Sequence, residues 1–448
     1  MKPLAGAIVL IACTLSACSL SFATVGTWST ERPPPISLLG TTSVVMPDGE
    51  VIFLGGFDSR TGPLNGVLRF DPKDNSWTQG APEPFQQTGY AVAALSNGLV
   101  LVAGGGGLLG GAIPLPVVAP GGGAPGGGNG LLATTWLYSL QLNAWTKAGN
   151  LHVARSGAAA VLLTDGRVLI AGGTVPLTTP DQPSGGGTDF GFSTSAETFD
   201  PLTNSWSLVG SMHVARGPMA LVALPNGMAL AAGGCVFANG ALSNAFGSAE
   251  IFDPSTEAWA VTTPLPEPRC GGSGVRLPDG RALVTGGSNV QAGSVTDAVV
   301  YDQQSRGWTT AGSTVEGASE PILLANGQVF VAAVQTGPAV GGLVTDTVGG
   351  KVFDPASDDW SFATSTSALV QFRVSAEESP PVVAQTGDTA IVFLGTAGLA
   401  FTFDPSGAPP PALVLDSSGL AWILAALATA LCLWLASYYL RNRVHRGA

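Results

Sequence analysis

The sequence predicts an all-β fold built from repeated units of four antiparallel strands, and three observations carry this prediction. Glycine accounts for 62 of the 448 residues, only 11% of the residues are charged, and 45% are hydrophobic. A disordered chain this rich in glycine would contain few apolar residues, so this chain has enough of them to bury a large core. A tryptophan and a diglycine also recur in step along the chain, which is typical of short strands joined by tight turns.

The tryptophans recur about every 50 to 70 residues, which is the spacing of a repeat architecture. Five of them lie six residues after an Asp, so each Trp belongs to a fixed pattern. The recurring tryptophans are Trp28, Trp77, Trp145, Trp206, Trp259, Trp308 and Trp360. The five Asp residues are Asp71, Asp200, Asp253, Asp302 and Asp354, and Ser139 takes this place before Trp145.

The diglycines are preceded by a turn signal. In five units another Gly lies six residues before the first Gly of the pair, and it follows Asp or Asn, as in Asp48-Gly49. Asp-Gly and Asn-Gly supply the positive φ angles of a type I′ hairpin turn. The five pairs are Gly55-Gly56, Gly104-Gly105, Gly172-Gly173, Gly233-Gly234 and Gly286-Gly287.

The first unit shows how four strands follow from this pattern. A strand from Thr42 to Met46 is predicted to turn at Asp48-Gly49 into a second strand, Val51 to Gly56, which is apolar on both faces. Such a strand fits between two packed sheets. A third strand from Val67 to Asp71 leads through a turn to an outer strand that carries Trp77. Four antiparallel strands per unit make the blade of a β-propeller.

The Gly-Gly, the aromatic-Asp pair and the Trp at these offsets resemble Kelch repeats over residues 26–405. This resemblance implies a seven-bladed Kelch-type β-propeller of four-stranded antiparallel blades. The sixth unit has Ala333-Val334 in place of the diglycine, and the seventh ends without a Trp. We expect the segment around Thr27 to Ser29, which carries Trp28, to supply the outer strand of the seventh blade and close the ring.

The two ends of the chain predict export and a membrane anchor. Residues 1–23 resemble a secretory or lipoprotein-type signal, in which Cys18 is the predicted lipidation site and ordinary cleavage after Ala23 is the alternative. Residues 406–418 form a Pro-rich stem, and the uncharged residues 419–440 predict one C-terminal transmembrane helix. The basic tail over 441–448 favours a cytoplasmic C-terminus. We expect a single-pass protein of the cell membrane with the propeller outside.

The charge of the chain excludes one class of partner. The formal net charge is −12, with 18 Lys and Arg against 30 Asp and Glu. Nucleic-acid binding depends on neutralising phosphates with Lys and Arg. We therefore predict no nucleic-acid partner.

A repeated motif offers the candidate ligand site. His152-Val153-Ala154-Arg155 and His213-Val214-Ala215-Arg216 match each other, and Arg269 takes the Arg position in the next unit. Three Arg near the axis could bind an anion or a sugar. The alternative is that each Arg pairs with a carboxylate such as Glu197 or Glu250 and locks neighbouring blades together. Two His without a third ligand make a poor transition-metal site, so no metal and no cofactor are predicted.

Cys235 and Cys270 form the other candidate pair. Cys235 follows the diglycine of the fourth unit and Cys270 precedes the first strand of the fifth, so both fall on one face of adjacent blades. An exported domain allows a disulfide between them.

These features favour a non-enzymatic binding or interaction module for a surface protein or a glycan. One alternative is a carbohydrate oxidoreductase resembling galactose oxidase, which would need copper held by two Tyr and two His. The ectodomain offers His152 and His213, with Tyr90, Tyr138 and Tyr301, at positions that do not resemble such a site. A second alternative is a sorted surface protein with a cleavable C-terminal anchor.

Overall fold

The structure is a computed structural model, and the residues it describes form strands and turns. These residues lie in the compact unit Met1–Gly407, and no helix among them is long and apolar enough to cross a membrane. The predicted signal over 1–23 with Cys18, the helix over 419–440, the tail over 441–448 and most of the stem lie outside the described residues. The structure describes residues 24–35, 38, 41–58, 62–85, 87–107, 130–176, 190–238, 241–315, 318–336, 344–363, 370–372, 382–386, 389–394 and 399–407.

Blade 1 shows the repeated unit. Its four antiparallel strands run in order from an inner to an outer strand: Thr41–Val45, Val51–Gly55, Val67–Asp71 and Ser76–Gln79. All five residues of the second strand are buried, as the apolar sequence predicts for a strand between packed sheets. The diglycine ends this strand because both of its residues adopt positive φ, 66° and 110°.

Four further blades repeat this order. Blade 2 consists of Ala91–Ala94, Leu99–Ala103, Thr135–Ser139 and Ala144–Lys147. Blade 3 consists of Ala159–Leu162, Val168–Ala171, Ala196–Asp200 and Ser205–Leu208. Blade 4 consists of Ala220–Ala223, Ala229–Ala232, Ala249–Asp253 and Ala258–Thr262. Blade 5 consists of Ser273–Arg276, Ala282–Thr285, Asp297–Asp302 and Gly307–Ser313.

Each of these five blades carries a short two-stranded ribbon, and in blades 1, 3, 4 and 5 both of its strands follow the diglycine. The ribbon strands are Phe57–Asp58 with Gly62–Pro63, Gln87–Thr88 with Gly106–Gly107, Thr174–Pro176 with Phe190–Phe192, Cys235–Ala238 with Ala241–Ala245, and Ser288–Asn289 with Gly293–Ser294. In the second ribbon, Gln87–Thr88 comes before the inner strand of blade 2. The ribbons are sheets separate from the blades, because the positive φ of the diglycine interrupts strand pairing there.

A sixth four-stranded blade, termed the closing blade, combines the two ends of the described chain. Its strands from the C-terminal side are Val382–Thr386, Thr389–Leu394 and Leu399–Asp404. The N-terminal strand Thr27–Thr30 pairs antiparallel with Leu399–Asp404, and Trp28 lies opposite Phe403. The outer strand of this blade therefore comes from the other end of the sequence.

The prediction of seven four-stranded blades is wrong, because the described residues form six. The sixth unit of the repeat instead lies in a six-stranded sheet. The predicted C-terminal helix has no counterpart among the described residues either. The six-stranded sheet contains Thr24–Val25, Ile322–Leu323, Val329–Thr336, Val344–Asp354, Asp359–Ala363 and Val370–Phe372.

The missing diglycine accounts for this departure. Ala333 and Val334 stand where the other units have Gly-Gly, and both continue the ladder, opposite Gly349 and Val348. Without a positive-φ interruption the central hairpin extends to strands of eight and eleven residues. The longer hairpin provides an edge for Val370–Phe372, and Thr24–Val25 adds to the outer strand.

Several of the recurring tryptophans connect their blade to the one before it. The indole Nε1 of Trp145 in blade 2 donates to the carbonyl oxygen of Ala81 beyond the outer strand of blade 1, at 3.0 Å. Trp308 in blade 5 donates in the same way to Thr263, at 2.8 Å. Apolar clusters also run between blades, so the core is divided among the interfaces between neighbouring blades. The Trp repeat thus reflects packing between blades.

Candidate functional site at the blade joints

The segments that join neighbouring blades, termed the joints, carry the repeated His-Val-Ala-Arg motif. The ribbons lie at the same end of the blades as the joints, because Ser156 pairs with Thr174 and Cys270 pairs with Ser288. Joints and ribbons together form one face of the protein, termed the joint face. The joints are residues 80–90 between blades 1 and 2, 148–158 between blades 2 and 3, 209–219 between blades 3 and 4, and 263–272 between blades 4 and 5.

Arg155 connects blade 2 to blade 3. Its carbonyl oxygen accepts a hydrogen bond from Gly105 N of blade 2, at 2.7 Å. Its guanidinium is 1% exposed and donates Nη1–H bonds to the carbonyl oxygens of Gly172 and Ser195 in blade 3, both at 3.0 Å. Nη2 donates to Glu197 Oε1, also at 3.0 Å. One residue therefore holds two blades, through its main chain on one side and its side chain on the other.

The Glu197 carboxylate gathers the remaining groups of this joint. It is fully buried and accepts four hydrogen bonds, of which Arg155 donates one. The main-chain N of His152 and its ring Nδ1 lie 2.8 and 2.9 Å from Oε2, and Val153 N donates to Oε1 at 3.0 Å. The His152 side chain is 48% exposed. Because the carboxylate holds Nδ1, Nε2 is the ring nitrogen presented on the joint face.

The same arrangement recurs at the next joint. Arg216 Nη1 donates to the carbonyl oxygens of Gly233 and Ser248, at 2.7 and 2.9 Å, and Nη2 donates to Glu250 Oε1 at 2.7 Å. His213 N and Nδ1 lie 2.7 and 2.8 Å from Glu250 Oε2. The His213 side chain is 55% exposed, while Glu250 is fully buried. Two neighbouring joints thus present two histidine rings in the same way.

The electrostatics of these joints follow from burial. Removal from water lowers the pKa of the Arg155 and Arg216 guanidinium groups below their ordinary value, and the paired carboxylates, Glu197 and Glu250, oppose this effect. An arginine stays protonated at any pH in which the protein is folded, so both joints contain a buried ion pair. Such a pair contributes chiefly by making the loss of either partner costly.

Arg269, at the joint between blades 4 and 5, lacks the buried glutamate partner that Arg155 and Arg216 have. Its guanidinium is fully buried, and Nη1 donates to the carbonyl oxygens of Gly286 and Asp297 at 3.2 and 2.8 Å. Val299 stands at the strand position of Glu197 and Glu250, and Nε and Nη2 have no hydrogen-bond partner among the described residues. Burial lowers its pKa, against the opposing charges of Glu267 and Asp297.

A disulfide crosses the joint between blades 4 and 5. Cys235, directly after the diglycine of blade 4, is bonded to Cys270, which follows Arg269. The two residues are 0% and 7% exposed and pack with Ala245 and Leu242. The joint that lacks the buried carboxylate therefore has a covalent connection between the same two blades.

Removal of this disulfide is expected to destabilise the protein by about 3 kcal/mol, because the bond closes a loop of a few tens of residues and restricts the unfolded chain. The measurement is chemical denaturation of a variant with Cys235→Ala and Cys270→Ala against the oxidised protein. Wild type assayed in reductant is the control and should match the variant. An unchanged denaturation midpoint in both would contradict the expectation.

The structure brings the predicted ligand residues together in pairs. His152 and Arg155 share Glu197, and His213 and Arg216 share Glu250, as in the alternative that the sequence left open. The guanidinium groups lie inside the protein, so the exposed parts of this candidate site are the two imidazole rings. Arg269 occupies the equivalent place without a His or a Glu. Its role in ligand binding stays a prediction.

The described residues contain no group of three His, Cys, Asp or Glu side chains that could hold a metal ion. Two of the tyrosines weighed for a copper site, Tyr138 and Tyr301, are fully buried in the apolar clusters of their blades. They contact Trp145 and Trp308, with ring centroids 5.0 Å apart in both cases.

Glu83, at the joint between blades 1 and 2, was not among the site residues predicted from the sequence. It is 3% exposed, its Oε1 lies 3.3 Å from Tyr90 Oη, and its Oε2 has no partner among the described residues. Burial raises the pKa of Glu83 to about 8, and that of Tyr90 well above its usual range. The corresponding joint positions hold Leu151, Met212 and Leu265, whose main-chain N–H groups bond at the matching carbonyls. The sequence signal that could have identified Glu83 is a carboxylic acid at a position where the other three joints have an apolar residue.

Comparisons with known proteins agree with this geometry. The family model of the Kelch motif matches residues 40–82. Kelch-like protein 15 of Homo sapiens is 22% identical over 248 residues, which are 54% of this chain and 37% of that protein. Kelch-like protein 25 of Xenopus tropicalis is 24% identical over 239 residues, 53% of this chain and 37% of that protein. This chain thus spans little more than a third of the length of these curated relatives.

Among solved structures, that titled "Structure of YjhT" superposes with a TM-score of 0.52 at 16% sequence identity, covering 75% of this chain and 99% of the other. A likeness at this identity shows the fold alone. The four-stranded blades and the joints between them define a β-propeller protein. With the Kelch motif matched in blade 1, these similarities support a Kelch-repeat β-propeller.

Proposed function

We propose that this propeller is a non-enzymatic binding module, held at the cell membrane on the outside, and that its joint face binds a surface protein. The observation that carries the proposal is the pair of half-exposed imidazole rings, His152 and His213, each fixed by a fully buried carboxylate. Rings held in place before binding lose little conformational freedom when a partner arrives.

The chemistry of the joint face suits a protein partner. Because Nδ1 carries the proton that it donates to the carboxylate, each Nε2 of the neutral ring accepts one hydrogen bond. Val290, at the tip of the blade 5 ribbon on the same face, is 55% exposed and adds an apolar contact. A mixed polar and apolar surface on a rigid scaffold is typical of protein recognition. A glycan would make less use of an exposed valine, so we place it second.

The proposed location has separate support. Disulfides persist in oxidising compartments, and Cys235 and Cys270 are disulfide-bonded. Membrane attachment rests on the sequence of the two chain ends, outside the described residues. No catalytic role is assigned. Stoichiometric copper in the purified protein would instead favour a carbohydrate oxidoreductase.

Site-specific photo-crosslinking tests the proposed face. A photoreactive amino acid at position 213 is expected to give a discrete covalent adduct with one surface protein in intact cells. The matched control carries it at position 202, in the turn between the outer strands of blade 3, where Leu202 is 94% exposed. That turn lies on the face opposite the joints, so the same adduct should be absent. Equal adducts at both positions, or adducts at position 202 alone, would refute the assignment.

A further inference from the structure

The outer strand of blade 4 has an uncovered edge among the described residues. Ala258–Thr262 pairs with Ala249–Asp253 on one edge, and no strand among the described residues pairs with the other. The strand contains no charge and no proline, the usual features that protect a sheet edge. Val261, the fourth of its five residues, is 62% exposed. An edge of this kind is a template for a further strand.

Another sheet of this protein already has an added strand at the matching edge. In the six-stranded sheet, Thr24–Val25 pairs in parallel with the outer strand, opposite Phe362 and Ala363. These residues lie two and three positions after Trp360. In blade 4 the same two positions, counted from Trp259, are Val261 and Thr262. The main chain that accepts a strand in one sheet is therefore uncovered in the other.

The surroundings of the outer edge of blade 4 resemble those of the outer edge of the six-stranded sheet. After Val25 the chain passes Gly26, whose α-carbon lies beside the main chain of Asp404 at the end of a third strand in the next blade. Beside blade 4, the matching turn of blade 5 runs from Asp302 to Arg306. Four residues of this turn and all five residues of Ala258–Thr262 line one groove, with a volume of about 750 Å³.

The charges of the groove limit what can bind there. Five charged residues line it: Asp253, Asp279, Asp302, Arg281 and Arg306. Arg281 is already held by Asp279 at 2.6 Å and by Asp358 at 2.8 Å. Asp253, Asp302 and Arg306 then leave one net negative charge facing the groove. A segment that carries a basic residue complements it.

We propose that this groove binds an extended segment of a partner protein, which adds to blade 4 as a fifth strand and directs a basic side chain toward Asp253 and Asp302. Main-chain hydrogen bonds to Val261 and Thr262 supply affinity, and Val261 supplies an apolar contact.

The outer strands of the other blades are less suited to bind such a segment. The matching position is Gln79 in blade 1 and Lys147 in blade 2, and Leu208 in blade 3, which is 54% exposed, does not line this groove. The groove includes no residue of the joint face.

A peptide in trans tests the proposal on the full chain. The probe is a fluorescein-labelled peptide that carries the chain's own Ala23–Val25 sequence between lysines. Fluorescence anisotropy is expected to show saturable binding, and hydrogen exchange is expected to slow at the amides of 258–263. Val261→Lys, which copies the residue found in blade 2, should weaken binding by about tenfold or more, because a charged side chain protects an edge. Leu202→Lys, on an exposed turn, should leave it unchanged.

The opposite outcomes would overturn the proposal. These are no saturable binding, equal binding by Val261→Lys, or slowed exchange outside blade 4. Light scattering of the protein alone separates another occupant: a dimer that Val261→Lys dissociates would assign the edge to a second copy of this chain, against a partner segment. Circular dichroism of both lysine variants establishes that they fold, and the exposure of both side chains leads us to expect that they do.

Discussion

Replacement of Arg216 by methionine is expected to lower the free energy of unfolding by about 3–5 kcal/mol, because it leaves a buried carboxylate without its cation. Glu250 is fully buried and would keep its two main-chain donors and the ring of His213. Methionine preserves most of the apolar stem, so the change isolates the guanidinium. Chemical denaturation at neutral pH measures the loss as a shift in the midpoint at constant slope.

Arg167→Met is the matched control for this experiment. Arg167 pairs with Asp165 at 2.9 Å and Glu257 at 3.2 Å, but these groups are 26% to 48% exposed. Ion pairs in contact with water contribute about 1 kcal/mol or less, so the control should be nearly neutral. A second variant, Arg216→Met with Glu250→Gln, should recover part of the loss because the charge is gone. Equal effects of Arg216→Met and Arg167→Met would contradict the assigned role of the buried pair.

The sequence was sufficient for the blades because their determinants are local. An Asp-Gly or Asn-Gly turn and a diglycine are steric requirements of the chain next to them, as the positive φ of Gly49 and Gly55 shows. The predicted number of four-stranded blades was wrong because the sixth unit lacks the diglycine that ends the second strand in the other units. Ala333-Val334 was visible in the sequence and the resulting hairpin pairs locally, but the addition of Thr24–Val25 depends on contacts across more than 300 residues.

The sequence predicted where the candidate site lies, but it did not decide between ligand binding and ion pairing as the role of its arginines. The repeat placed Arg155 and Arg216 at equivalent joints, and it offered Glu197 and Glu250 as partners. Whether an arginine faces solvent or a buried carboxylate depends on which strand passes beneath it, and one sequence does not give that register. The bond from His213 Nδ1 to the same carboxylate depends on this register too.

The buried Glu83 makes the stability of the protein depend on pH. Raising the pH from 5 to 9 is expected to cost the wild-type protein about 4 kcal/mol of stability that a Glu83→Gln variant does not lose. The pKa of Glu83 is about 8 in the folded protein against an ordinary value of 4.5, because burial disfavours the charged carboxylate. The folded state therefore holds a proton that the unfolded chain releases.

The sign of the effect follows from this difference. Below about pH 4.5 both states are protonated and the contribution of the group is fully present. Between pH 4.5 and 8 the unfolded state binds fewer protons, so stability falls as the pH rises, and above pH 8 the loss is complete. The groups that face Glu83 are the Tyr90 hydroxyl and the main chain of Gly55, and neither carries a charge that offsets burial. Glutamine keeps the shape of the protonated acid without a titration.

Denaturation of both proteins at several pH values between 5 and 9 measures the difference. Wild type and Glu83→Gln should be similar at pH 5 and diverge steadily toward pH 8, with the variant more stable. Because other groups titrate equally in both proteins, only the difference between them reports on position 83. Glu257→Gln, at a side chain 48% exposed, serves as the control and should follow wild type at every pH. A difference between wild type and Glu83→Gln that stays constant over this range would mean that the carboxyl is ionised inside the folded joint, and that the joint between blades 1 and 2 holds a buried charge without an ion pair.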